Sequence, residues 1–317
     1  MLSAGLKLGL TVGLRFGLAF GLAVCSASSH AASTSSSAFA SLRFCDRASP
    51  LTAQQQDRLL RFAAIVRREL EDSGHAVALV ARSGLNLQRF GVRYSHAGVS
   101  LKASDSSPWS VRQLYFACDE GRPRLYDQGM AGFVIGTDDP SLGYVSIVLL
   151  PAPEAAALGR TALDKARALR LLAATYSANA YAFGLRYQNC NQWVAELLAS
   201  AWGGLADGDD LRASAQAWLA DRGYAPAPVE VGSHALMFAA EFIPWLHSDD
   251  HPEADRFALR FRTSLPASIE AFVREQVPGA ERIELCHNER HVIIRRGWQS
   301  LADGCRPDAG DRVIEWD

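Results

Sequence analysis

Cys190 is the residue of this chain best placed to act as a nucleophile. Two polar residues, Gln188 and Asn189, precede it, and residues 191–198 after it have helical hydrophobic periodicity. This pattern predicts that the thiol lies on the first turn of a helix. The positive end of a helix dipole favours a thiolate, so the position suits nucleophilic chemistry. The competing interpretation is an inert cysteine buried in the core.

His96 is the candidate proton acceptor for this thiol. It lies near the start of a predicted strand at 93–101, where Ala97 and Gly98 would let another element approach closely. An imidazole beside a thiol can accept its proton and so activate it. A histidine in an apolar strand is also common as a purely structural residue, and both interpretations stay open.

The segment 247–251 is a second polar cluster, with the sequence His-Ser-Asp-Asp-His. Two histidines and two carboxylates can bind a divalent metal. Pro244 and Pro252 flank the cluster, however, and favour an exposed polar loop. We therefore expect neither a metal site nor another cofactor in this protein.

The elements around these residues are first mainly strands and then mainly helices. Strands are predicted at 75–82, 93–101, 109–116, 124–127 and 143–150. Helices are predicted at 52–73 with Thr52 as N-cap, at 154–176, from Cys190 to about Gly203, and at 211–219. A small strand-helix-hairpin-strand unit follows from Ala254. This order is typical of an α+β fold in which an antiparallel sheet packs against helices.

The N-terminus has the features of a secretory signal peptide. Lys7 and Arg15 accompany a short apolar run at 16–24, and small residues follow up to Ala32. We expect a signal peptide at 1–32, a spacer at 33–44, a catalytic domain at 45–231 and a C-terminal extension at 232–317. Such a protein would be periplasmic or secreted. A retained membrane anchor and a lipid attached to Cys25 are the alternatives.

The numbers of charged residues and of cysteines limit which binding partners and which disulfide bonds are expected. The chain has 32 Lys and Arg residues against 34 Asp and Glu residues, so its charge does not favour nucleic acid as a partner. Loss of Cys25 with the signal leaves five cysteines, an odd number in an oxidising compartment. Cys286 and Cys305 flank a predicted hairpin and are expected to pair. Cys45 and Cys118 would form the second bridge, which leaves Cys190 reduced.

Three short segments resemble a known superfamily: Val77 to Gly84, Tyr94 to Val99, and Gln188 to Val194. A histidine strand that precedes a cysteine helix is similar to the permuted branch of the NlpC/P60 papain-like superfamily. The chain from Phe44 onward also resembles the bacterial family called domain of unknown function 2145. The resemblance implies a circularly permuted papain-like fold with Cys190 as nucleophile and His96 as base.

The resemblance also implies residues that assist this pair. A third polar group on the next strand would orient the imidazole, and Gln113 is the candidate, unless it is a surface glutamine. Gln188 and the backbone amides of Cys190 and Asn191 are candidate oxyanion donors, because they cluster at a helix N-terminus.

These expectations describe a thiol hydrolase or acyltransferase of the periplasm. Relatives in the permuted branch act on amides or esters in peptides, peptidoglycan or lipids, so the resemblance implies a substrate of the cell envelope. Two other classes of function stay open. One is a catalytically silent envelope binding or assembly module on the same fold, and the other is a structural lipoprotein anchored through Cys25.

Overall fold

A computed structural model describes residues 51–316, and its central feature is an eight-stranded antiparallel sheet. The strands of this sheet are β1 (Val77–Arg82), β2 (His96–Leu101), β3 (Ser110–Ala117), β4 (Arg122–Gln128), β5 (Gly143–Leu149), β8 (Glu281–His287), β9 (His291–Arg296) and β10 (Arg312–Glu315). Two further strands, β6 (Pro228–Glu230) and β7 (Arg260–Arg262), pair only with each other. The helices are α1 (Ala53–Asp72), α2 (Met130–Ile135), α3 (Ala152–Leu163), α4 (Lys165–Arg170), α5 (Cys190–Trp202), α6 (Leu211–Asp221), α7 (His234–Ala240), α8 (Glu253–Phe257) and α9 (Pro266–Gln276).

The order of the strands across the sheet is β10-β9-β8-β5-β1-β2-β3-β4. Each neighbouring pair is antiparallel, so the predicted α+β class with an antiparallel sheet against helices is confirmed. The last three strands, β8 to β10, continue this sheet, because β8 pairs with β5 from Gly143↔His287 to Leu149↔Glu281. The predicted catalytic segment and the predicted extension therefore share one sheet.

Apolar side chains fill a core on each face of the sheet. On one face, Val99 and Leu101 of β2 pack with Trp193 of α5. On the other face, Val111 of β3 packs with Phe133 of α2 and with α1. Successive side chains of a strand point to opposite faces, so each strand contributes to both cores.

The helix predicted at 154–176 is interrupted, and that prediction is wrong in its extent. α3 ends at Leu163, and Asp164 has an extended backbone with ψ of 98°. Its carboxylate accepts a hydrogen bond from the Arg167 amide at 3.0 Å and so caps α4. Aspartate competes for amide groups in this way, which favours a helix start over a helix interior.

The sequence-based predictions for the first helix and the last disulfide are confirmed. Thr52 caps α1 through a reciprocal pair of bonds with Gln55. Cys286 is bonded to Cys305. Cys118 is also disulfide-bonded, whereas its predicted partner Cys45 lies outside the described residues.

The predicted signal peptide at 1–32 and spacer at 33–44 also lie outside the described residues. Among the helices between residues 51 and 316, none is long and apolar enough to span a membrane.

Candidate active site

Cys190 is the first residue of α5, as the sequence predicts. The Asn189 side chain caps this helix by accepting a hydrogen bond from the Gln192 amide at 2.7 Å. Among the described cysteines Cys190 remains a thiol, and only 6% of the residue is exposed. Its sulfur lies 4.0 Å from the carbonyl oxygen of Ser95, at the entrance to β2.

Buried side chains hold the loop that leads into α5. The Asn189 amide donates to the Thr263 hydroxyl at 2.8 Å and to the Ser264 carbonyl at 3.1 Å. Gln192 donates to the Gly184 carbonyl at 3.0 Å, and Arg212 of α6 donates to the Leu185 carbonyl at 2.8 Å. These bonds satisfy loop carbonyl groups that would otherwise be buried without partners.

Gln188 belongs to this supporting network. Its amide donates to the Leu171 carbonyl at 2.8 Å and to the Glu196 carboxylate at 2.6 Å, and its oxygen accepts from the Ala173 amide at 3.0 Å. Glu196 in turn accepts from Arg212 at 2.9 Å. A role for the Gln188 side chain as an oxyanion donor would require these bonds to break.

The two backbone amides at the start of α5 are better placed as oxyanion donors than the side chains beside them. The amides of Cys190 and Asn191 are the first two of the helix and have no acceptor within it. The Asn191 side chain donates elsewhere, to the carbonyls of Ser95 and Ser264, each at 3.2 Å.

A chain of hydrogen bonds orients His96. Its Nε2 lies 2.6 Å from Oε1 of Gln113, whose own amide donates to the Gln128 side chain at 2.6 Å. With the Gln113 oxygen as acceptor, Nε2 carries the proton and Nδ1 is left as the basic nitrogen. Gln113 is fully buried, so the alternative of a surface glutamine is excluded.

The His96 ring is neutral at ordinary pH. Burial, with a further effect from the nearby Arg82 charge, lowers the pKa of His96 to about 3, and the bond to Gln113 opposes this shift only in part. A neutral ring with a basic nitrogen can accept a proton. The same Arg82 charge would stabilise an anion formed close by.

Cys190 and His96 belong to different faces of the sheet. Ala97 and Val99 of β2 pack in the same core as Cys190. The His96 ring instead contacts Phe133 of α2, with ring centroids 6.1 Å apart, and Tyr115 at 5.2 Å.

One cavity of about 280 Å³ is lined by both Cys190 and His96. Its other walls include four aromatic residues, one arginine and one disulfide-bonded cysteine: Arg82, Gly84, Leu85, Ser95, Leu114, Tyr115, Phe116, Cys118, Tyr176, Ala178 and Trp245. A larger cavity of about 420 Å³ lies beside Tyr126 and Gln128, but its lining includes no cysteine or histidine. Of these two cavities, only the smaller one is lined by the candidate nucleophile and the candidate base.

Sequence reasoning did not identify Arg82 or the aromatic walls of this cavity. Arg82 is 3% exposed, donates to the Tyr115 hydroxyl at 3.0 Å and lies 5.5 Å from the Phe133 ring centroid. The sequence signal that could have identified Arg82 is its position as a charged residue at the end of an otherwise apolar strand. Phe116 stacks on Tyr176 at 5.2 Å and approaches Trp245 at 5.5 Å, which joins three distant segments that no local pattern connects.

The cluster at 247–251 supports the loop before Cys190 and is partly buried. His247 stacks on Tyr187 with ring centroids 4.4 Å apart, and His251 is hydrogen-bonded to the Asn179 carbonyl at 2.7 Å. His251 is only 5% exposed, so the expectation of an exposed loop is wrong at this position. Between residues 51 and 316, no group of three or more histidine, cysteine or acidic side chains has the arrangement of a metal site.

Comparison with known proteins gives one match. The family model described as uncharacterized protein conserved in bacteria, DUF2145, matches residues 69–273. This range includes Arg82, His96, Gln113 and Cys190. Searches of curated proteins and of solved structures find no match.

Proposed function

The chain belongs to the uncharacterised bacterial family DUF2145, and we propose that it is an exported thiol hydrolase or acyltransferase with Cys190 as its nucleophile. The observation that carries this proposal is the shared cavity. It holds a thiol at the start of a helix, a neutral imidazole fixed by Gln113, and a buried guanidinium. Such a site suits acyl transfer, because it contains a nucleophile, a base and a positive charge.

In the proposed reaction, Nδ1 of His96 accepts the thiol proton as the sulfur attacks the carbonyl carbon of an amide or ester. The backbone amides of Cys190 and Asn191 would donate to the oxyanion, and Arg82 would stabilise the negative charge. The imidazolium then protonates the leaving amine or alcohol, and an acyl thioester remains on Cys190. Water or a second alcohol or amine releases the acyl group.

The size and walls of the cavity support a small acyl group as the part of the substrate that enters. About 280 Å³ is slightly below the range typical for drug-sized ligands. The aromatic side chains of Phe116, Tyr176 and Trp245 favour an apolar or planar group. We also propose that the fold is a circularly permuted papain-like fold. The substrate would come from the cell envelope.

Labelling with a thiol-directed acyl probe tests the proposal on purified protein that lacks residues 1–32. Cys190→Ala should abolish labelling, and His96→Ala should reduce its rate about 100-fold or more, because a general base is lost. His287→Ala is the matched control, since His287 is also a buried histidine of the sheet but does not line this cavity. Equal losses in the two histidine variants would show that His96 is structural.

A catalytically silent binding module is the second candidate. It is favoured by the approach of Cys190 and His96 from opposite faces and by the contact of the thiol with the Ser95 carbonyl. This candidate predicts that Cys190 of the folded protein is not acylated by the probe at any pH. A wild-type protein that stays unlabelled would therefore replace the enzyme proposal with this one.

A further inference from the structure

Gln128 of β4 is the last residue in the chain of hydrogen bonds that starts at His96. Gln113 of β3 uses both ends of its side-chain amide in this chain. Its oxygen lies 2.6 Å from Nε2 of His96, and its nitrogen donates to Oε1 of Gln128 at 2.6 Å. Because Gln113 is fully buried, bulk water does not compete for either end of the amide.

The pairing of the strands explains why these side chains meet. Gln113 pairs with Tyr126 across β3 and β4, and Gln128 is the next residue of β4 on the same face. Long side chains at such diagonal positions can reach each other. On the other side, a Cβ atom at Gly98 of β2 would be 3.2 Å from Cβ of Gln113. The lack of a side chain at Gly98 therefore leaves room for the Gln113 amide to reach His96.

We propose that Gln128 is a positioning residue that decides which ring nitrogen of His96 carries the proton. A side-chain amide has an oxygen that only accepts hydrogen bonds and a nitrogen that only donates them. While Gln128 presents its oxygen, the nitrogen of Gln113 faces Gln128 and the oxygen of Gln113 faces His96. Nε2 of His96 then holds the proton, and Nδ1 stays basic. If Gln113 were turned over, its nitrogen would donate to Nε2, the proton would lie on Nδ1 and the base would be lost.

Gln128 acts from outside the Cys190 cavity. It lines the larger cavity of about 420 Å³ but not the smaller one, so a substrate beside Cys190 would not touch it. α2 lies close to Gln128, because a Cβ atom at Gly132 would be 2.7 Å from Nε2 of Gln128. The nitrogen of Gln128 therefore faces this helix, and its oxygen faces Gln113.

NMR spectroscopy of isotope-labelled histidine tests this inference at neutral pH, because it shows which ring nitrogen of His96 is protonated. Gln128→Glu offers only acceptors and should keep the proton on Nε2. Gln128→Lys offers only donors and should turn Gln113 over, which moves the proton to Nδ1. Gln276→Lys is the matched control, since Gln276 is also a partly exposed glutamine but lines neither cavity. The control should leave the proton of His96 where it is in the wild type.

The rate at which the acyl probe labels Cys190 gives a second measurement, and this measurement alone rests on the proposed function. Gln128→Lys should slow labelling about 10-fold or more, because the basic nitrogen of His96 is lost. Gln128→Glu should stay within about 3-fold of the wild-type rate, because it keeps the acceptor. A wild-type protein that is not labelled would contradict the proposed function, whereas the NMR result would still decide the role of Gln128.

A proton that stays on Nε2 of His96 in the Gln128→Lys variant would overturn the inference. So would an equal change in Gln276→Lys, because the added charge and not the bond to Gln113 would then move the proton. If near-ultraviolet circular dichroism shows that Gln128→Lys is unfolded, Gln128→Met takes its place, because methionine is similar in length and has no strong donor or acceptor. This variant should show both protonation forms of His96, and a proton on Nε2 alone would count against Gln128.

Discussion

Two buried histidines show how the surroundings of a single residue set its protonation. Burial, together with a nearby arginine charge in each case, lowers the pKa of His96 to about 3 and that of His287 to about 4. In an unfolded chain the pKa of histidine is about 6.5. The unfolded state therefore binds more protons between these values, and stability is lost as the pH falls below about 6.5.

Replacing His287 by Gln should make the protein less sensitive to acid. Between pH 6 and 4.5, the free energy of unfolding should fall less steeply than in wild type, by up to about 1.4 kcal/mol per pH unit. Urea titrations at several pH values measure this difference. Burial raises the pKa values of Glu196 and Glu270, which act in the opposite direction, but both residues are present in both proteins. Parallel curves would contradict the effect assigned to His287.

Sequence reasoning identifies single residues that have a recognisable local context and misses those whose role depends on the fold. Cys190 was recognisable because polar residues and a helical pattern surround it. The sequence predicts Gln113 as a neighbour of His96 because it lies on the next strand, and the hydrogen bond between the two side chains confirms this. Arg82 was missed because its effect on His96 depends on the pairing of β1 with β2.

At the scale of elements, the start of α5 depends on one side chain with two tasks. The oxygen of Asn189 caps the helix, and its nitrogen donates to Ala178, Thr263 and Ser264. The first task fixes where the helix begins. The second ties that point to the loop and to the chain before α9.

Asn189→Ala should lower the free energy of unfolding by about 2–4 kcal/mol, because a cap is lost and buried acceptors lose their donor. Labelling of Cys190 should also slow, since the thiol is no longer held in place. Asn189→Ser keeps a capping oxygen and loses the amide donors, so it should be intermediate in stability. Chemical denaturation measures both variants. A loss below about 1 kcal/mol in the alanine variant would show that other bonds suffice.

The helix predicted at 154–176 shows what local periodicity does not contain. The segment is rich in alanine and leucine, and its pattern alone favours one long helix. Gln188 takes the Leu171 carbonyl and the Ala173 amide as partners, so the chain beyond α4 is held in a different conformation. Gln188, which competes with the helix for these two backbone groups, lies beyond the end of the predicted helix.

At the scale of the whole molecule, the C-terminal segment completes the sheet and its buried charges. Arg282 of β8 pairs with Glu270 at 3.0 Å and with Glu284 at 3.1 Å. Arg93, which precedes β2, also pairs with Glu284 at 3.1 Å. The Arg93–Glu284 pair therefore connects the region before residue 232 to the buried charges of the region after it.

A chain that ends after residue 231 should not fold to a soluble monomer. It would lack β8, so β5 would become an exposed apolar edge that invites aggregation. A chain that ends after Asp311 is the matched control, because it loses only the outer strand β10 and keeps the Arg295–Asp311 pair. Size-exclusion chromatography and circular dichroism should show a folded monomer for the control alone. A folded, soluble product from the shorter chain would contradict the single sheet.

The class of the fold was predictable because alternation and turn residues reveal strands one at a time. The final hairpin and its Cys286–Cys305 bond were predictable for the same reason. The place of that hairpin in the sheet was not, because β8 carries no local mark that selects β5 as its neighbour. Partner choice between distant strands depends on the whole core.

The pairing of β5 with β8 also determines when this protein can become native. Leu149 pairs with Glu281, so nearly the entire chain must be synthesised before the middle of the sheet closes. Contacts between such distant segments slow folding, because a long loop must first be ordered. Until the C-terminal strands arrive, β5 stays available to chaperones or to other unfolded chains. Completion of the molecule is therefore a late event, which follows the synthesis of nearly the whole chain.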